Sequence, residues 1–344
     1  MKITAGIFNT KQTPEAKEII YAIRDGIINS GDNVTLISCR HLDHYPSSFK
    51  KSSVEKVINN VKEIDVIIQI CEGGGCRNLL RGASKMLNKR RIIIDAGFFN
   101  SARRAIKNTY HSIGYDHIKG AADYCNKNSP PDRWNKLGLK MKDWRKTGDH
   151  VLLIGQNEIG GGMKHIRYNM RHDIFHRIIT KIRKRTDRPI VFRTHKHRQY
   201  QYEDIFNNPK IKNVKRSDMM GSKKNTIDED LKDAWCTVSL TSNAAVDSIF
   251  HGVPVITADI ISAAHDVSEH DIANIENPKM CDRTQWAYDL AYAQWNLEEM
   301  KLGMPWKHLR DNFSDEGIAP VNNDLWALRG AMIPLAPPVK GSWS

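Results

Sequence analysis

The chain has 344 residues, 40% hydrophobic and 26% charged, with a formal net charge of +13. That composition belongs to a folded protein long enough for two cores, and it excludes a disordered or fibrous chain. No apolar run approaches the roughly 18 residues of a membrane span, and the opening Met1–Thr10 lacks the apolar stretch of a signal peptide, so the expected location is the cytoplasm.

In chain order, Lys2–Phe8 reads as a strand, Pro14–Asn29 as an amphipathic helix and Val34–Ser38 as a second strand after the Gly31-Asp32-Asn33 break. Val54–Lys62 is helical, Asp65–Cys71 a near-continuous apolar strand, Asn78–Asn88 a helix and Arg91–Asp95 a fourth strand. Continuous apolar strands alternating with helices indicate a parallel sheet covered on both faces. Residues 111–149 break the pattern with Pro, Gly, Trp and basic residues, and the domain boundary is placed near their end. The alternation then restarts: His150–Gly155 (strand), Gly160–Gly162 (turn), Ile166–Arg185 (long basic helix), Pro189–Arg193 (strand). A short helix from Asp228, a strand Cys236–Leu240, a helix Ser242–His251 and a strand Val253–Thr257 complete it. Thr284–Leu302 reads as one long helical pattern whose aromatics pack a core. The expectation is an α/β fold of two doubly wound Rossmann-like domains, 1–145 and 146–284, facing a central cleft, with a helical tail, 285–344, packing across both.

Lys and Arg are unevenly spread. Residues 51–200 hold 32 of them against 13 Asp and Glu, and the remainder holds 20 against 26. Such a surplus suits a polyanionic partner, because each neutralised phosphate releases a counterion; a solubility surface that also attracts a small pyrophosphate ligand is the plainer reading. The six cysteines are scattered without a Cys-x-x-Cys pair, which suits reduced, mostly buried thiols. His195 and His197 have no matching cluster of ligands nearby, so no metal is expected.

The most specific stretch runs from Leu240 to Ile256. A strand ends in Thr241, Ser242 and Asn243, good helix-capping residues, and small residues follow, so a phosphate can approach the backbone N–H groups at the positive end of the helix. Asp247 lies one turn on, placed to accept hydrogen bonds from ribose hydroxyls, and Gly252-Val253-Pro254 turns into the next strand. A second stretch, Gln156 followed by Gly160, Gly161 and Gly162, sits between a strand and a basic helix carrying Lys164, Arg167 and Arg171. Arg193 and His195 end the neighbouring strand, where such sheets bind ligands. In the first domain Asp95, the first choice, and Glu72, the second, stand at strand ends, as a general base that takes a hydroxyl proton requires; Asp95 is also suited to bracing the loop that follows it. Asp228–Asp230 sits at a helix start rather than after a strand, which argues against a metal-binding role.

The Leu240–Ile256 stretch resembles the donor-binding motif of GT-B glycosyltransferases, Ser-x-x-x-x-Glu-x-x-x-x-Gly-x-Pro, with Asp247 in place of the usual Glu. The layout as a whole, opening Met-Lys-Ile and carrying a strand that ends in Asp95, resembles the phage DNA β-glucosyltransferases of the T-even type. The resemblance implies a UDP-sugar donor, Asp95 as catalytic base, no essential metal and double-stranded DNA bearing hydroxymethylated pyrimidines as acceptor. Basic residues interleaved with aromatics, Arg103, Arg104, Arg133, Trp134, Lys142, Trp144 and Arg145, would grip phosphates and stack on a flipped base; an interdomain linker whose tryptophans pack on the core fits them equally. A polysaccharide or other glycan acceptor is the alternative within the same chemistry, and a non-catalytic nucleotide-binding protein the alternative outside it.

Overall fold

The computed structural model describes residues 2–10, 13–39, 51–72, 75–99, 109–157, 161–163, 166, 170–171, 173–195, 202–218, 227–257 and 259–312. The chain divides into two units, one made of Met1–Lys140 with Asp282–Phe313 and the other of Met141–Cys281.

The first unit alternates β1 (Thr4–Asn9), α1 (Pro14–Asn29), β2 (Asn33–Ser38), α2 (Lys51–Lys62), β3 (Val66–Ile70), α3 (Gly75–Met86) and β4 (Arg90–Ala96), then adds β5 (His111–Tyr115) and α4 (Asp132–Leu137). All five residues of β3 are buried, as its uninterrupted apolar run requires of a central parallel strand. Helix α1 starts cleanly: the Thr13 hydroxyl accepts from the Ala16 N–H, and Pro14 fills the first turn, where a missing N–H costs nothing.

The second unit holds β6 (His150–Ile154), α5 (Asp173–Arg183), β7 (Ile190–Arg193), α6 (Glu203–Phe206), β8 (Val214–Arg216), α7 (Ile227–Leu231), β9 (Ala234–Val238), α8 (Ala244–Phe250) and β10 (Val255–Ile256). The chain then returns to the first unit with α9 (Thr284–Tyr292), β11 (Gln294–Trp295), α10 (Leu297–Lys301) and α11 (Met304–Asp311).

The first sheet has the order β11-β5-β4-β3-β1-β2 and the second β10-β9-β6-β7-β8. The second is wholly parallel, and in the first only β5 runs against the rest, antiparallel to both β4 and β11. Two doubly wound α/β units, the pair of halves from which a GT-B protein is built, are therefore present. In the first unit Ile7, Ile68 and Ile94 pack on α1 with Trp295, Trp306 and Leu309 from the returning segment. In the second, Phe175 of α5, Phe192 of β7 and the fully buried Tyr202 form a ring cluster with centroids 5.0–5.4 Å apart.

Four expectations are corrected. Residues 111–115 are not linker but the antiparallel strand β5, which the small residues Ser112 and Gly114 had masked. The segment 284–302 is not one helix, since β11 interrupts it and places Trp295 in the sheet. Over its described residues the segment expected as a tail across both domains is built into the first unit, where Trp306 Nε1 and Arg310 Nη1 each donate to Asp32 Oδ2 at 2.7 Å. The basic helix begins at Asp173 rather than Ile166. No helix among the described residues is long and apolar enough to cross a membrane.

Candidate active site

Connectivity alone locates a crevice in the second unit. The chain lays down β6, moves outward to β7 and β8, then crosses back to place β9 and β10 on the other flank of β6. The order reverses between β6 and β9, and at such a switch point the loops leaving the two carboxyl ends part and leave room for a ligand.

Two of the sequence-selected stretches meet there. Gln156, just beyond β6, is buried and reaches across to Thr241, just beyond β9: its Nε2 donates to Thr241 Oγ1 at 2.8 Å, and its Oε1 accepts from Thr241 N at 2.8 Å. Thr241 Oγ1 in turn donates to the Gly162 carbonyl at 3.0 Å, so residues 85 and 79 positions apart share one hydrogen-bonded hub. The Tyr202 hydroxyl donates to the Gln156 carbonyl at 3.3 Å and anchors the hub to the ring cluster. Sequence reasoning missed Tyr202, which belongs to no motif and is recognisable only by what it packs against.

Helix α8 spans seven residues and is capped by its own chain: Ser242 Oγ accepts from Ala244 N at 3.3 Å, and Asn243 occupies the cap without a side-chain cap hydrogen bond. Asp247 sits half-buried in its first turn, and its carbonyl accepts from the His251 ring at 2.8 Å. Gly252 has φ +71°, and a Cβ there would run into the Asp143 carbonyl, so the Gly-x-Pro turn is glycine for backbone reasons. The turn also holds the entry segment, with Lys142 N donating to Phe250 O at 2.9 Å and Arg145 N to Gly252 O at 2.7 Å.

Several candidate residues are otherwise engaged. Arg193 forms a buried ion pair with Asp230, whose second oxygen accepts from Ser217 Oγ at 2.6 Å and whose carbonyl is met by His150 Nε2 at 3.0 Å. Burial holds the His150 imidazole below its ordinary value, partly offset by that carbonyl. Arg193 thus braces the end of β7, with Asp230 of the acidic triplet as its counterion. His195 is half-buried just past β7. Lys164 and Arg167 lie outside the described residues.

In the first unit Asp95 stands at the carboxyl end of β4, half-buried. The loop after it is fixed by Gln294 of β11, whose Oε1 accepts from Phe98 N at 2.9 Å and Phe99 N at 3.3 Å. Gly97 is required there, because a Cβ would strike the Tyr110 carbonyl. Glu72, the second candidate base, is instead almost fully buried in an ion pair with Arg91 at 3.1 Å, with Arg81 at 3.7 Å and Gln69 Nε2 donating to it at 3.2 Å. Glu72 is thus engaged by three side chains of its own unit.

Of the described members of the nucleic-acid set, Arg133 is buried, Trp134, Trp144 and Arg145 are half-buried and Lys142 is exposed. Arg133 is buried, with Nη1 and Nη2 forked onto Glu299 at 3.0 and 3.2 Å, further bonds to Ala291 O and Gln294 O, and its guanidinium 3.8 Å from the centroid of Trp295. Arg145 Nη1 donates to Leu231 O and Ala234 O at 2.7 and 2.9 Å, and Trp144 Nε1 to Cys281 O at 2.8 Å. All three are thus held by partners within the protein. Lys142 is exposed, and Trp134 packs edge-on to Phe99 at 5.8 Å. Arg103 and Arg104 lie outside the described residues.

The chain matches no family model and no curated protein. Among solved structures it is similar to the β-Kdo 2,4-transferase of Thermosulfurimonas dismutans KpsC, at 11% identity over 85% of this chain and 90% of that one, with a TM-score of 0.48. It is also similar to a UDP-GlcNAc 2-epimerase of Methanocaldococcus jannaschii in complex with UDP-GlcNAc and UDP, at 12% identity over 78% and 87% and a TM-score of 0.32. A third is MurG of Acinetobacter baumannii, at 9% identity over 75% and 79% and a TM-score of 0.29.

Proposed function

We propose that this chain is a glycosyltransferase that takes its sugar from a nucleotide-sugar donor, of the UDP type, held by the second unit at the crevice between β6 and β9. The observation that carries this reading is the Gln156–Thr241–Gly162 hub: it fixes the glycine turn and the Thr-Ser-Asn stretch side by side at the one point of the sheet where the topology opens a ligand crevice. Asp247 is the ribose partner and Asp95 the base. The acceptor hydroxyl gives its proton to the Asp95 carboxylate, its oxygen bonds to the anomeric carbon, and the bond from that carbon to the diphosphate breaks, releasing the nucleoside diphosphate. Donors fixed in advance around the diphosphate stabilise its growing charge.

With purified protein and a panel of UDP-sugars, Asp95→Asn is expected to lower transfer at least ~100-fold, the low end of what a general base supplies, while UDP affinity changes less than about twofold. Retained turnover would remove Asp95 from the chemistry.

The acceptor we assign is a glycan hydroxyl, because Arg133 is buried and the polar groups of half-buried Trp144 and Arg145 are engaged by backbone carbonyls of the protein itself. Duplex DNA is the second reading, favoured by the surplus of basic residues in 51–200. A gel shift with hydroxymethylated duplex at two salt concentrations decides between them. Steep salt dependence accompanied by sugar incorporation into the DNA would reinstate the DNA acceptor; weak binding, with transfer to an oligosaccharide panel, is the expected result.

A further inference from the structure

The first sheet ends on one side in β2, which pairs with β1 in parallel register over six residues. Among the described residues no strand pairs with its outer edge. Asn33, Thr35, Leu36 and Ser38 are exposed, whereas every residue of β3 is buried. Asn33 N donates to the Ile3 carbonyl at 2.9 Å, so alternation along the strand turns the N–H and C=O of Val34, Leu36 and Ser38 outward, away from β1. Edge strands are ordinarily kept from pairing by a charge, a proline or a very short length. The sequence of β2, Asn-Val-Thr-Leu-Ile-Ser, supplies none of these.

The same margin is apolar above the sheet. Helix α1 rests on β1 and β2 and packs α10 through Gly26, where a Cβ would meet the Met300 carbonyl and Gly303; Asn29 Nδ2 donates to Lys301 O at 3.0 Å on that side. Tyr21 and Ile28, 49% and 53% exposed, lie two turns apart on roughly the opposite side of α1. Because α10 follows β11 at the far end of the sheet, that opposite side overhangs the free edge of β2. Val34 packs into the cluster beneath α1, so Leu36, two residues on and 46% exposed, shares its face. Between Tyr21 and Ile28, Arg24 is paired with Asp25 at 2.6 Å and lies 4.9 Å from the centroid of the Tyr21 ring, so its charge is neutralised within the stripe.

We propose that the β2 edge is a self-association surface, occupied by β2 of a second copy of this chain in antiparallel register. A two-fold axis perpendicular to the sheet at Leu36 sets Leu36 of one copy opposite Leu36 of the other and Val34 opposite Ser38. Every outward N–H and carbonyl of the edge then has a partner. On the other face Thr35 meets Ile37, and no like charges face each other along the seam. The axis keeps both α1 helices on one face of the joined sheet. With strands ~4.8 Å apart and α1 above the β1–β2 gap, the two helices lie about 10 Å apart, the spacing of packed helices, and Tyr21 and Ile28 of each close on the other. A lone peptide strand would satisfy the edge but leave Tyr21 and Ile28 bare. An edge ~20 Å long on an α/β/α stack ~30 Å deep offers roughly 600 Å² per copy, near the ~800 Å² per partner of a standard interface. The pairing uses none of the residues assigned to sugar transfer, so it stands apart from that assignment.

The test is sedimentation equilibrium of the full chain, with variants at the seam. The parent is expected to be a reversible dimer at ~10 µM chain, as an interface of that size allows. Leu36→Lys sets two ammonium groups opposite each other and should weaken the dimer more than about tenfold, while Leu302→Lys, on the α10 side of α1 and 64% exposed, leaves it intact. Opposed residues of a hydrogen-bonded antiparallel pair have Cα atoms ~5.5 Å apart, within disulfide reach. Under mild oxidation Leu36→Cys should therefore cross-link two copies, and Ile37→Cys, which faces Thr35, should not exceed the parent. A parent that stays monomeric at ~100 µM overturns the proposal, as does a dimer that survives Leu36→Lys. Equal cross-linking at positions 36 and 37 overturns the register. Should Leu36→Lys not fold, Ile28→Lys, at an exposed position of α1, must weaken the dimer in its place, or the proposal falls.

Discussion

Arg133→Met is expected to destabilise the first unit by about 3–5 kcal/mol, the cost of leaving one member of a buried ion pair alone. Glu299 does two jobs. It receives both guanidinium nitrogens of Arg133, and its Oε2 accepts from Asn296 N at 3.0 Å while Asn296 Oδ1 accepts from Glu299 N at 2.9 Å, closing the capping box of α10. Methionine fills the volume over Trp295 but neutralises nothing, so Glu299 must pick up a proton or pull out of its cap. In a unit of this size the loss corresponds to a fall in thermal midpoint of roughly 10 °C. Arg133→Met with Glu299→Gln should recover most of it, because the uncompensated charge disappears and glutamine still serves the cap. The same variant separates the two roles considered for Arg133. A phosphate contact would lower the salt dependence of any DNA binding by about one ion and leave the melting curve alone; the buried brace does the reverse.

How such a residue is misread from sequence is instructive. The two-unit α/β plan was legible because long apolar strands such as Val66–Ile70 and Ala234–Val238 are buried on both faces and carry their own signature. The stretches that meet at the crevice were legible as well, since Gly, Ser, Thr and Asn between a strand and a helix have few other uses. Burial of charge was not legible. Arg133, Arg145 and Arg193 look like surface cations in a basic stretch, yet each one's partners are carbonyls or carboxylates 37 to 166 positions away or more locally unremarkable, and pairing at such distance leaves no local pattern. Strand β5 was hidden for a related reason: Ser112 and Gly114 weaken its apolar alternation, and Gly114 is small because the Tyr124 ring needs the space.

Gln156→Leu is expected to lower the stability of the second unit by about 2–4 kcal/mol and to abolish thermal protection by UDP. Leucine matches the size of the glutamine side chain but leaves the buried Thr241 N–H without its acceptor, which by itself costs about 1–3 kcal/mol, and Thr241 Oγ1 without its donor. Loss of protection in a weakened protein is ambiguous, so Gln156→Glu supplies the second arm. A glutamate keeps an acceptor for Thr241 N and disturbs the packing little, but it sets a negative charge at the point where the proposed diphosphate lies. Repulsion in a partly desolvated crevice is expected to reduce UDP affinity more than about tenfold while the unfolding midpoint without ligand falls far less than in Gln156→Leu. Calorimetric titration with UDP reads the difference directly. If Gln156→Glu binds UDP as the parent does, the diphosphate is not beside the hub, and the donor site must be sought elsewhere in the second unit.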